Sequence, residues 1–113
     1  MAIYSNLSVD QGSNFAAQID VTDSDGDPLV LDGYTVEGQL RKTYTSITST
    51  SFTAEVYNSN GGVVKISLNA AATNGLKAGR YVYDVEITKT STGDITRIVE
   101  GQLEVRPGVT RAS

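Results

Sequence analysis

The chain has 113 residues, 39% hydrophobic and 19% charged, with nine basic against thirteen acidic side chains and a formal charge of -4. That length fits one layered core, no apolar run approaches the roughly 20 residues of a membrane helix, and the acidic balance argues against holding nucleic acid through its phosphates. Cysteine and histidine are both absent, which excludes disulfides, thiolate nucleophiles, the commonest general base and the usual zinc ligands.

The N-terminus, MAIYSNLSVDQG, carries neither a basic leader nor a continuous apolar stretch, so no secretory signal is read there and folding is expected to begin near Met1. A first strand is expected near Ile3 to Val9. The clearest period-two run follows, with Phe15, Ala17, Ile19 and Val21 on one face and polar or small residues on the other. It ends at DSDGDP, a cluster of turn formers. Tyr34, Val36, Gly38 and Leu40 form the next run. The hydroxyl-rich Thr43 to Thr53 segment reads as an exposed connection with ragged strand ends. Phe52, Ala54 and Val56 alternate before NSNGG, where Asn60 and Gly61 suit a hairpin turn with positive φ. Val64, Ile66 and Leu68 come next.

Asn69 to Gly79 breaks the alternation, and Asn69 ahead of three alanines predicts a capped helical turn. Tyr81, Tyr83, Val85 and Ile87 then share a face. A long last strand spans Ile95 to Val105 and stops at Pro107. Within it Val99, Gly101, Leu103 and Val105 keep register, but Arg97 would point inward with them if Ile95 did too, and a bulge near Thr96 would resolve this. Seven strands at such spacing predict an all-β, antiparallel, immunoglobulin-like sandwich with one short helical turn between strands E and F. Residues 1–113 form one domain in this reading, with short arms over about 1–6 and 107–113.

The segment LKAGRYVYDVEI carries a tyrosine-corner layout, in which a strand-F tyrosine bonds back to the preceding crossover two residues before an inward core position. Tyr81 is the expected corner, its ring buried and its hydroxyl satisfied near Gly75 to Ala78. Tyr83 is the inward residue, and Gly79 opens the strand. All three read as structural. Without histidine or cysteine, and with acids confined to turns and outward strand positions, no catalytic residue and no cofactor is assigned. Asp23, Asp25 and Asp27 around Gly26 are the candidate metal ligands. They lack the bidentate glutamate of a calcium loop, whose twelfth position is Tyr34, and read first as a solvated turn. Arg41, Lys42 and Arg97 are read as isolated basic points on strand edges. Tyr4, Tyr44 and Tyr57, near strand ends or in the hydroxyl-rich segment, are the candidate interface residues, because tyrosine offers large amphipathic area.

The segments VDQGSNF, LDGYTV, LKAGRYVYDVEI and RIVEGQLEV, spread over about Leu7 to Thr110, resemble a family of small virion proteins and domains of tailed bacteriophages. The chain is similar to the Ig-like proteins of cyanophages and to the N-terminal baseplate upper-protein domain of phage receptor-binding assemblies. The resemblance implies a non-enzymatic virion component, present in several copies and bound to other virion proteins. In those baseplate relatives fibre or receptor-binding regions follow the domain. Here the sequence ends at Ser113, so the expectation is an accessory piece of the tail, baseplate or fibre-attachment region, or alternatively a capsid decoration protein. A host-surface carbohydrate-binding module built on Tyr44, Tyr57 and the hydroxyl-rich segment is the second alternative. No nucleic acid and no membrane is expected as a partner; a homo-oligomer or a multi-copy assembly is.

Overall fold

The computed structural model describes residues 3–108. The remainder of the two expected arms, and the last residues spanned by the phage resemblance, lie outside the described residues. The strands are β1 (Ile3–Tyr4), β2 (Leu7–Asp10), β3 (Phe15–Asp20), β4 (Tyr34–Arg41), β5 (Thr50–Ser51), β6 (Thr53–Asn58), β7 (Val63–Leu68), β8 (Gly79–Lys89) and β9 (Ile95–Arg106), with one helix, α1 (Ala70–Asn74), between β7 and β8. One sheet runs β1-β9-β8-β4-β5, with β2 also on β9, and the other runs β3-β7-β6. The all-β sandwich with one short helix is therefore present.

Its layers follow from the alternation. Leu40, Tyr83, Val85, Ile87, Leu103 and Val105 of the larger sheet face Val64, Ile66 and Leu68 of the smaller one, and all are buried. Complete burial of one such side chain is worth about 1.5–3 kcal/mol. Phe52 links the layers: its ring lies 6.3 Å from Phe15 and 6.1 Å from Tyr83, the latter edge-on at 79°. The hydroxyl-rich segment is thus a loop only to Ser49. It then enters the two-residue β5 and drops Phe52 into the core.

The N-terminal strand departs from an all-antiparallel sandwich. It breaks at Ser5–Asn6 into β1 and β2, and both halves run parallel to β9, Ile3 opposite Val99 and Asp10 opposite Arg106. Together with the short β5, that break turns the seven expected runs into nine segments. Gly101 permits the crossing, since a Cβ there would collide with the Ser5 carbonyl oxygen.

Two local expectations shift. The β9 bulge lies at Ile98, not near Thr96: Val85 faces Val99 and Glu86 faces Arg97, leaving Ile98 as the extra residue. Ile98 and Val99 are consequently both buried, while Ile95 is exposed and Arg97 points away from the core. In the β6–β7 turn positive φ falls on Gly62 (+68°), not on Asn60 or Gly61. Asn58 Oδ1 instead accepts the Gly61 N–H at 3.0 Å.

The helical turn is capped as its sequence predicts, Asn69 Oδ1 accepting the Ala72 N–H at 2.8 Å. Thr73, inside it, is fully buried. Its hydroxyl donates to Ser13 O at 2.8 Å and accepts from Gly12 N at 3.1 Å, tying the helix to the β2–β3 turn.

Candidate interaction surface

Strand β8 places the three structural residues in sequence. Gly79 starts it at φ +140°, a conformation that favours glycine. Tyr81 donates its hydroxyl hydrogen bond to the Lys77 carbonyl at 2.7 Å, within the crossover that precedes the strand. Its ring is half-buried, not enclosed as expected, with Lys42 Nζ 5.0 Å above it. That contact is a cation–π arrangement. Tyr83 is buried and donates to the Ser5 carbonyl at 2.6 Å. Burial pushes its phenol above the ordinary tyrosine pKa. Tyr83 and Gly101 are cross-strand partners, so the side chain that one position lacks leaves room for the strand crossing that the other's hydroxyl fastens.

The three interface candidates are exposed: Tyr4 at 63%, Tyr44 at 76% and Tyr57 at 57%. They occupy three separate elements. Tyr4 is on the edge strand β1 opposite Glu100, and Tyr57 sits at the β6 bulge with Lys65 Nζ 5.6 Å above its ring. Tyr44 belongs to the loop between β4 and β5. That loop is ordered by its own polar groups: Arg41 Nη1 donates to Ser46 O at 2.7 Å, Thr43 N to Ser46 Oγ at 3.1 Å, and Ser46 N to Thr43 O at 3.2 Å. It also displays Ile47 at 96% exposure, a residue that no aromatic ring and no alternating pattern marks in the sequence. The signal was one isoleucine flanked by serine and threonine, with no alternating partner to pull it inward.

Beneath Tyr44, on the outer face of the larger sheet, lies an open cleft of about 300 Å³ lined by Gln39, Arg41, Asp84, Glu86, Arg97 and Glu100. Its cations are engaged. Arg41 Nη2 also donates to Gln39 Oε1 at 3.1 Å, and Arg97 lies 3.3 Å from Asp84 and 3.9 Å from Glu100. Arg41, Lys42 and Arg97 are thus tied to neighbours, not isolated points. Ion pairs this exposed contribute little stability, about 0–1 kcal/mol. What they supply here is a set of paired donors and acceptors in a cleft that Tyr44 also lines.

The aspartate turn does not gather its carboxylates. Asp23 Oδ1 accepts the backbone N–H groups of Asp25 at 2.9 Å and Asp27 at 3.1 Å, while Gly26 turns the chain at φ +85°. Among the described residues, no three acidic side chains are grouped to hold a metal ion.

No protein-family model matches the chain, and no curated protein matches it. Among solved structures it is similar to a family 123 glycoside hydrolase from Clostridium perfringens at 14% identity and a TM-score of 0.41, over 94% of this chain and 23% of that one. The chain therefore spans under a quarter of that enzyme, and a likeness of this size speaks to neither chemistry nor partners.

Proposed function

We propose that the protein is a non-enzymatic structural component of a bacteriophage particle, gripped by other virion proteins at the tail, baseplate or fibre-attachment region. The resemblance of its turn and core segments to phage Ig-like proteins supports this reading. The observation that carries it is the β4–β5 loop, where hydrogen bonds among Arg41, Thr43 and Ser46 hold Tyr44 and Ile47 out in solvent. A pre-ordered loop that shows large apolar groups to water loses little conformational entropy when a partner covers them. The test is mass spectrometry of washed particles, with cryo-electron microscopy to locate the density. Expected is a stoichiometric band in purified virions and loss of incorporation on Tyr44→Ser/Ile47→Ser; absence from washed virions ends the reading. Density on the capsid lattice would move the protein to decoration.

The cleft under Tyr44 favours a second reading, a host-surface carbohydrate module. A sugar ring could stack on Tyr44 while Gln39, Arg41 and Asp84 meet its hydroxyls. Saturable binding on a glycan array, abolished by Tyr44→Ala, would select this reading over the first.

A further inference from the structure

Among the described residues the sandwich has strand edges at β1–β2, at β5 with the part of β4 that β5 leaves unpaired, at β3 and at β6, and all but β3 are guarded. The β1–β2 edge breaks at Ser5–Asn6, β5 is two residues long and the stretch of β4 it leaves unpaired carries the exposed Glu37, and β6 carries Glu55 and a register shift between Val56 and Asn58. Breaks, short strands, bulges and charges are the devices by which sheets refuse another strand. β3 has none of them along its middle. It pairs with β7 without interruption from Phe15↔Leu68 to Asp20↔Val63, and its one charge, Asp20, stands at its end.

The direction of its free backbone groups follows from one bond. Val21 N donates to Gly62 O at 2.7 Å, just beyond the last β3–β7 pair. Odd-numbered residues of β3 therefore turn their N–H and C=O toward β7. By alternation along an antiparallel strand, Ala16, Gln18 and Asp20 turn theirs to the bare edge. The apolar face is also incomplete there. Phe15, Ala17 and Ile19 are half-buried, whereas Val64, Ile66 and Leu68 opposite them are buried.

We infer that β3 is a self-association edge: two copies of this chain pair their β3 strands antiparallel about a two-fold axis at Ala17, fusing the three-stranded sheets into one. Only registers that match residues of equal parity keep apolar side chains on the core face and bring outward N–H and C=O groups together. In the one centred on Ala17, Phe15 faces Ile19, Ala16 faces Gln18 and Asp20 faces Asn14. No carboxylate meets another, and the axis passes between two methyl groups. This self-complementarity singles out a second copy as the occupant. A two-fold contact of this kind closes at the dimer. The pairing stands whether or not the protein is a virion component.

Sedimentation equilibrium on the purified chain at tens of micromolar is expected to give twice the monomer mass. Gln18→Pro removes an outward N–H without touching the β7 ladder, a substitution edge strands tolerate, and should return the mass to that of the monomer with an unchanged circular dichroism spectrum. Ala17→Cys introduces a single cysteine at a non-hydrogen-bonded pair. Antiparallel partners at such pairs stand about 4.5 Å apart at Cα, within disulfide reach. Mild oxidation should therefore cross-link Ala17→Cys at least tenfold faster than Thr53→Cys on the guarded edge β6. A monomeric wild type, equal cross-linking of the two cysteine variants, or open polymers that persist in Gln18→Pro would each overturn the assignment. The cysteine pair decides even if the proline variant fails to fold.

Discussion

Tyrosine serves opposite ends in two regions of this molecule. In β8, Tyr81 and Tyr83 each spend their hydroxyl on a carbonyl of the same chain, Lys77 and Ser5, and their rings help to close the sandwich. In the β4–β5 loop, Tyr44 is held out by a frame of arginine, threonine and serine that uses none of its own atoms. The difference teaches that ring placement is decided by what surrounds the residue. Alternating apolar neighbours draw β8 inward, whereas hydroxyl neighbours satisfy the loop backbone and leave nothing to pull Tyr44 down.

That contrast can be broken most forcefully at the strand crossing. Gly101→Ala puts a methyl group against the Ser5 carbonyl, and denaturant unfolding should register a loss of about 2–3 kcal/mol, since the crossing backbone must move. Tyr83→Phe keeps the ring but strips the Ser5 carbonyl of its donor. A loss of about 1–2 kcal/mol is expected in the same measurement. The same residue gives a pH signature. Burial raises the Tyr83 pKa above its value of 10.0 in the unfolded chain, so its contribution is complete below pH 10 and falls away as pH rises toward the folded value. Melting temperatures from pH 9 to 11 should drop more steeply in the wild type than in Tyr83→Phe. Tyr81→Phe leaves a partly exposed carbonyl that water can reach, and should cost about 0.5–1 kcal/mol. Smallest in stability is Tyr44→Ser with Ile47→Ser, within about 0.5 kcal/mol by thermal melting, although it is the pair whose loss should abolish incorporation. A loop variant that destabilises more than Tyr83→Phe would erase the distinction.

Strand alternation made most of the body legible in advance. The inward faces of β3, β4, β7 and β8, the capped turn at Asn69 and the apolar face of β9 all follow from residues two apart. Pairing between distant strands was less accessible. Nothing local in Ile3 to Val9 says that it runs parallel to β9, because that choice rests on Tyr83, 78 positions from Ser5, and on Gly101, farther still. The bulge was expected for the right reason, the outward Arg97, but misplaced; the adjacent Ile98 and Val99, both apolar, mark where one residue is extra. Leu31 was missed altogether. It is buried from within the β3–β4 connection, its N–H held by Ser59 O at 2.9 Å, and no periodic pattern surrounds it. Of the candidate surface, Tyr44 was visible and Ile47 was not, since isoleucine usually signals a core position. The cleft joins residues of three strands and a loop that no linear spacing connects.

The parallel run of β1 and β2 along β9 also has a mechanical meaning. Ile3 opens the parallel pairing beside Val99, and Arg106 ends it beside Asp10. A pull applied across those two points drags the paired strands lengthwise past each other. Their cross-strand hydrogen bonds then bear the tension together in shear, instead of opening one after another like a zip.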